Sequence, residues 1–274
     1  MLIELVGKSS AHPFRRLWRW GKKAAKIRKL AFSKKYDFDT ELADCIDEEN
    51  KEEFKFFQNP VIQTIYKYQI DYLLAISGKW FKGQSIKILD WGCGRGHVSY
   101  WLKVKKVDFE CCDVADVVRY KSPIMNMAGI NAVELTHKYN LPFSDSYFDV
   151  VLSFGVLEHV PDELESLKEI NRILKPDGLF FCFYLPNKLS YTQYIQRLRG
   201  RPCHDKLYLK KTVRELMGKA NFEILDIWRR ALFPKRSFVP PFYHFVEILD
   251  NWLCNYSLLK YFATNIEFVS KKLN

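Results

Sequence analysis

The sequence predicts an α/β fold, a doubly wound and largely parallel sheet of about seven strands with helices on its faces. Three observations carry that expectation. From Ile86 onward, apolar runs of strand length alternate with segments of helical spacing. The first run, Ile86 to Asp90, passes straight into Trp91-Gly92-Cys93-Gly94-Arg95-Gly96, a turn with a glycine at every second position. The next run closes on a second acid, Asp113, 21 residues beyond Gly92, about where a doubly wound sheet places a carboxylate on a ribose.

The elements follow in chain order. Residues 1 to 54 read as an N-terminal arm and residues 55 to 274 as the main domain. On a helical wheel from Phe14 to Lys34, one half holds Phe14, Leu17, Trp18, Trp20, Ala24, Ala25, Ile27, Ala31 and Phe32. Lysines and arginines fill the other half, with Arg28 and Leu30 breaking the pattern. Such a basic amphipathic helix suits an anionic membrane surface, contacted through residues 12 to 35. It equally suits a helix packed on the domain, one held by the acidic segment after it, or an organelle transit segment. Residues 1 to 36 carry +10 and residues 37 to 54 carry −8 within a total of +11, so the two blocks can neutralise each other. No recognition module accompanies the basic residues, and no nucleic-acid partner is expected.

A helical lead-in, Phe57 to Ile76, sets Ile62, Ile65, Ile70, Leu73 and Leu74 near helical spacing. Strand one is Ile86 to Asp90, and His97 to Lys105 forms the helix leaving the glycine turn. Phe109 to Asp113 and Ala132 to Leu135 are strands two and three, and Asp149 to Ser153 reads as a fully buried fourth. Pro161 opens a helix through Leu174, closed by the Lys175-Pro176-Asp177-Gly178 turn. Leu179 to Leu185 is strand five, Thr212 to Ala220 a helix, Phe222 to Trp228 strand six and Phe262 to Val269 the last strand. Residues 231 to 261 form an insertion. After Pro240-Pro241, the residues Phe242, Phe245, Val246, Leu249, Trp252, Leu253 and Tyr256 recur at helical spacing, an aromatic stripe that reads as a cap over a substrate pocket, as core or as a partner contact.

The longest uninterrupted apolar run, Leu179 to Leu185, is far shorter than the roughly 20 residues of a membrane-spanning helix. Seven cysteines without a C-x-x-C pair fit neither a disulfide framework nor a zinc site, which points to a reducing, cytoplasmic setting and to no metal.

The turn itself is built to touch a ligand. Gly92, Gly94 and Gly96 allow positive φ and remove side chains that would hold a ligand away from the backbone. Its D-x-G-x-G-x-G spacing differs from the G-x-G-x-x-G of dinucleotide sites, and Asp90 ahead of it would repel a diphosphate and favour a cation.

These residues resemble the class I S-adenosylmethionine-dependent methyltransferases, in the small-molecule branch related to quinone-biosynthesis and glycan or lipid-pathway enzymes. ILDWGCGRG (88 to 96) is similar to that family's first motif, Asp113 to its acid after strand two, and LPFSDSYFDVVLSFGVLEHV (141 to 160) to its segment around strand four. LKPDG (174 to 178), LPN (185 to 187) and HDKLYLKKTVRELMGKANF (204 to 222) continue the likeness in order. The resemblance implies a Rossmann-like sheet whose last strand is antiparallel, and S-adenosylmethionine as cofactor. It implies that the backbone of Gly92, Cys93, Gly94 and Gly96 approaches the methionine moiety, with Asp90 taking the ammonium directly or through water. Asp113 would accept the ribose hydroxyls, Val114 would lie on the adenine, and Leu141 and Phe154 complete the cofactor set. His137 stands where the family offers an acid to the adenine amino group, so an imidazole nitrogen, or backbone alone, would serve there.

Methyl transfer needs a base only for some acceptors. Glu158 and His159, after strand four, and His204, after strand five, are the candidates, with local structural bonding as the alternative for both histidines. Tyr184, Asn187 and Tyr191 are further pocket candidates. The expected activity is methyl transfer to an oxygen or carbon of a small or lipid-linked acceptor, of sugar or isoprenoid type. A dinucleotide-dependent oxidoreductase and a non-catalytic membrane adaptor with a cofactor fold stand as the rival readings.

Overall fold

The computed structural model describes residues 13–32, 36–46, 55–120, 122–200, 204–233 and 242–273. The acidic residues 47–54 and Pro240-Pro241 lie outside them, as do the side chains of α1 (Pro13–Phe32) before Trp20. After α1 come α2 (Thr40–Asp44), a 3₁₀ turn (Lys55–Gln58) and α3 (Pro60–Trp80). Then follow β1 (Lys87–Trp91), α4 (His97–Val104), β2 (Asp108–Val114), α5 (Ala115–Arg119), α6 (Pro123–Ala128) and β3 (Val133–Leu135). The second half holds β4 (Phe148–Phe154), α7 (Glu163–Ile173), β5 (Leu174–Pro186), α8 (Tyr191–Leu198), α9 (Lys210–Lys219) and β6 (Phe222–Arg230). It ends with α10 (Phe242–Tyr256), a second 3₁₀ turn (Leu258–Phe262) and β7 (Asn265–Lys272).

The strands form one sheet in the order β3-β2-β1-β4-β5-β7-β6. β1 to β5 pair in parallel, and β7 runs antiparallel to both β5 and β6. β1 and β4 are buried on both faces, which is why each reads as a continuous apolar run.

Several element ends differ from the sequence expectation, three of them for a local reason that the structure shows. Asp162 caps α7 by accepting the N–H groups of Leu164 and Glu165, so the helix starts at Glu163 and Pro161 stays outside it. The Lys175–Gly178 turn is absorbed into β5 as a bulge: pairing steps from Phe148 with Leu174 to Val150 with Leu179, and Asp177 takes φ 58°. α3 starts later than expected because Asn59 accepts the Val61 N–H and Pro60 occupies the first helical turn.

Helix α1 turns its described apolar side inward. Ala24, Ile27 and Ala31 are buried in the cluster that includes α3, Leu225 and Trp228. Arg28 is buried as well, 3.5 Å from the Asp226 carboxylate and over the Trp228 ring. Gly21 lets the helix close on the strand, since a Cβ there would sit 3.1 Å from the Leu225 carbonyl. Among the alternatives the sequence left open, packing on the domain is the arrangement observed. Lys22, Lys23, Lys26 and Lys29 face outward.

Candidate active site

The glycine turn is held by two bonds from Gly92 and Cys93 N–H to the Cys112 carbonyl, at 2.9 and 3.1 Å. Gly92, Gly94 and Gly96 all have positive φ, at 73°, 54° and 80°. Their surroundings differ. A Cβ at Gly92 would lie 2.4 Å from Val156, and one at Gly96 2.3 Å from Met125, so these two serve close packing of the chain on itself. A Cβ at Gly94 would meet nothing within 4 Å. Gly94 is therefore where the turn presents bare backbone to open space.

Asp113 stands beside that opening. One carboxylate oxygen accepts the Gly94 N–H and the other the Val114 N–H, each at 2.7 Å. Burial raises its pKa while those two bonds oppose the rise. Each oxygen keeps acceptor capacity for a hydroxyl. Val114 is 53% exposed, an apolar surface directly after the acid.

Asp90 lies beneath the turn. It is 1% exposed, accepts the Ser99 hydroxyl at 2.7 Å, and burial pushes its pKa up to about 7. This enclosure argues against direct contact with a ligand's ammonium and leaves a water-mediated or purely structural role. Cys93 is buried against Cys111 and Met125, and hydrogen bonding to Cys111 with burial raises its thiol pKa, which does not suit a nucleophile. His137 is exposed, and its Nδ1 already accepts the N–H groups of Tyr139 and Asn140 at 3.2 and 3.0 Å. Leu141 is buried, with its N–H bonded to Glu169 and its carbonyl to Arg172, so it acts as packing for the turn before β4.

A cavity of about 480 Å³ opens at the carboxyl ends of β4 and β5. Glu158, His159 and His204 all line it, 45 residues of chain apart between the histidines. Glu158 is 6% exposed, its Oε2 has no partner, and burial pushes its pKa up to about 7. His159 Nε2 is 3.9 Å from Glu158 Oε1, and the two imidazole rings lie 5.6 Å apart. Burial, with the His159 charge next, lowers the His204 pKa. One donor atom from each of the three falls within 4.8 Å of the others. A tetrahedral zinc site has donors about 3.3 Å apart, so the set would have to contract to hold such an ion.

Phe154 is in this cavity as well, among Tyr66 and Tyr184 with ring centroids 5.8 and 6.1 Å away. Tyr184 has φ 64°, backbone strain at the end of a strand that lines a pocket. Its hydroxyl donates to Gln69 Oε1 at 2.9 Å, and Gln69 Nε2 donates to Glu267 at 2.8 Å. Arg230, 2% exposed, lies 3.5 Å from Glu267 and 3.4 Å from Glu247. Gln69, Arg230 and Glu267 were not among the sequence candidates; the only signal for them is a charge or amide inside an apolar run. Asn187 is 0% exposed and donates to the carbonyls of Tyr261 and Ala263, a structural part rather than a pocket wall.

The two regions adjoin. Val156, whose side chain fills the space beside Gly92, sits in the chain between Gly155 and Glu158 of the cavity wall. An open backbone turn with a ribose-type acceptor thus borders a pocket holding a carboxyl with a pKa near neutrality.

Comparison with known proteins agrees with this geometry. A demethylmenaquinone methyltransferase of Staphylococcus haemolyticus is 50% identical over 107 residues, covering 35% of this chain and 44% of that protein. The human mitochondrial arginine-hydroxylase NDUFAF5 is 34% identical over 93 residues, covering 34% of this chain and 26% of that protein. The chain spans about half the length, or less, of the curated relatives it matches. The crystal structure of a SAM-dependent methyltransferase from Archaeoglobus fulgidus shares the fold, with TM-score 0.54, 18% of this chain left uncovered, all of that chain covered, and 20% identity. The methyltransferase-domain family matches residues 62–227, which run from α3 through the glycine turn and the Glu158, His159 and His204 side of the cavity to β6, and the chain belongs to that family.

Proposed function

We propose that this protein transfers a methyl group from S-adenosylmethionine to an oxygen or carbon of a small or lipid-linked acceptor seated in the Glu158 cavity. The observation that carries the reading is the adjacency just described: the turn that presents bare backbone at Gly94 beside Asp113 packs at Gly92 on Val156, which stands in the chain between Gly155 and Glu158 of the cavity wall. The turn and Asp113 fit a nucleoside, and Val114 offers an apolar surface to its base. S-adenosylmethionine, when bound, supplies an electrophilic methyl carbon on a sulfonium. The chain supplies position and dryness. The aromatic side chains of Tyr66, Phe154 and Tyr184 exclude water, and the buried Gln69, Glu267 and Arg230 hold Tyr184 in place. Glu158 takes the proton of an acidic acceptor, and His159 and His204 steer its orientation.

Residues 55–274 act as the catalytic domain, with residues 231–261 as its cap; Ala231 and Phe233 in the cavity wall support that role. Relatives named for menaquinone methylation support an isoprenoid-quinone type of acceptor over a sugar. Six described cysteines are free thiols, which suits a reducing compartment. Among the described residues no helix is long and apolar enough to cross a membrane.

Isothermal titration tests the reading. S-adenosylmethionine is expected to bind and NAD to leave no heat, and Asp113→Ala is expected to weaken binding at least about tenfold, given roughly 1.5–3 kcal/mol for a hydrogen bond to a charged group. NAD binding in place of S-adenosylmethionine would return the chain to the oxidoreductases. Profiling of a strain lacking the protein, for a species lighter by one methylene, identifies the acceptor.

A further inference from the structure

The cap helix α10 is built inside out. Glu247 and Asp250, its two acids, are 2% and 0% exposed, whereas Phe245, Trp252 and Tyr256 are 67%, 55% and 62% exposed. Polar bonds fix this orientation. Glu247 meets Arg230 at 3.4 Å, and Asp250 Oδ1 accepts the N–H groups of Leu232 and Phe233 at 2.7 and 2.8 Å. The apolar side is left facing out, and the neighbouring segments continue it. Of the twenty large apolar residues exposed among the described residues, fourteen come from residues 189–198 and 242–262. α8, α10 and the turn after it share a small core of Leu232, Cys254 and Ala263 with Tyr191 and Leu253, so their outer sides belong to one region. An apolar surface of this extent marks an interaction site.

We propose that this surface docks on an anionic lipid bilayer and that the acceptor reaches the cavity from there; the second clause rests on the proposed function. Charge selects the occupant. Residues 187–200 and 251–265 contain Lys188, Arg197, Arg199 and Lys260 and no acid. From α1, Lys29 bonds to the Tyr256 hydroxyl and covers its ring, which brings the exposed lysines of that helix to the border of the patch. Aromatic and leucine side chains interspersed along the chain with lysine and arginine match hydrocarbon under anionic headgroups. A second copy of the chain would set two basic rims against each other. Thr192 from α8 and Thr264 beside the last turn line the cavity, so the patch and the pocket share walls. The arm therefore contributes charge to the membrane contact, and the cap contributes the apolar contact.

Co-sedimentation of the full chain with vesicles of equal parts phosphatidylglycerol and phosphatidylcholine tests the surface. Wild type is expected to pellet with them and to be released by salt, and the triple variant Phe245→Ser, Trp252→Ser, Leu258→Ser to lose more than about tenfold in partitioning. Titration with S-adenosylmethionine on the same samples is expected to be unchanged, which shows that the variant folds. Wild type that stays in the supernatant, a variant that pellets like wild type, or a wild-type dimer that the variant converts to monomer each overturns the docking proposal. Vesicle binding without S-adenosylmethionine binding would leave the surface standing and remove the proposed function; the reverse result would do the opposite.

Discussion

Glu158 and Asp90 are two buried carboxyls with pKa values near 7, and burial causes both shifts. In the folded chain each holds its proton over a pH range where the unfolded chain has released it. The stability they contribute is thus complete below about pH 4 and is lost as pH rises toward 7. For Glu158, whose ordinary value is 4.5, the loss amounts to about 3 kcal/mol at most. Glu158→Gln is expected to flatten that part of the Tm-against-pH curve and to raise stability at pH 8. Under the proposed function it lowers kcat by about 10²- to 10⁴-fold and abolishes the rise in rate through pH 7. Thermal melts and a pH–rate profile on the same variant check both. A variant with wild-type kcat would remove Glu158 as the base.

At the scale of elements, the turn between β1 and α4 divides its glycines by task. Gly96→Ala is expected to cost about 2–4 kcal/mol, because its Cβ runs into Met125 at positive φ. Gly94→Ala costs only about 1–2 kcal/mol for its φ, yet is expected to weaken S-adenosylmethionine binding more than tenfold. Chemical denaturation and calorimetric titration separate the two effects, and equal binding losses at both positions would contradict the division. This turn was legible in the sequence because its parts are local: strand, three glycines and Asp113 follow one another within a single βαβ unit. The support behind the cavity wall was not, because Gln69, which holds Tyr184, meets Glu267 across 198 residues, and no spacing rule joins them. The cap is the instructive intermediate case. Its stripe of aromatics was visible, but an apolar stripe is ordinarily taken as the inner face. Arg230 reverses that by drawing Glu247 inward.

For the molecule as a whole, α1 is a load on the main core rather than a separable arm. Deleting residues 1–36 uncovers Leu225, Trp228 and their neighbours, removes the Arg28 partner of the half-buried Asp226, and is expected to lower Tm by about 5–10 °C. Differential scanning calorimetry decides this, and an unchanged Tm would return the helix to the surface. The sequence placed this helix and, over residues 20–31, the side that it buries, yet could not choose what would cover it, since lipid and a protein core reward the same pattern.

The sheet order also bears on how the chain is made. β7 lies between β5 and β6, although both precede it in the chain. While residues 265–272 are still inside the ribosome, β5 has an open edge and β6 has no strand to pair with. The parallel half and its glycine turn can form during synthesis, whereas the wall of the cavity and the seat of the cap wait for the final strand to be threaded between its elders.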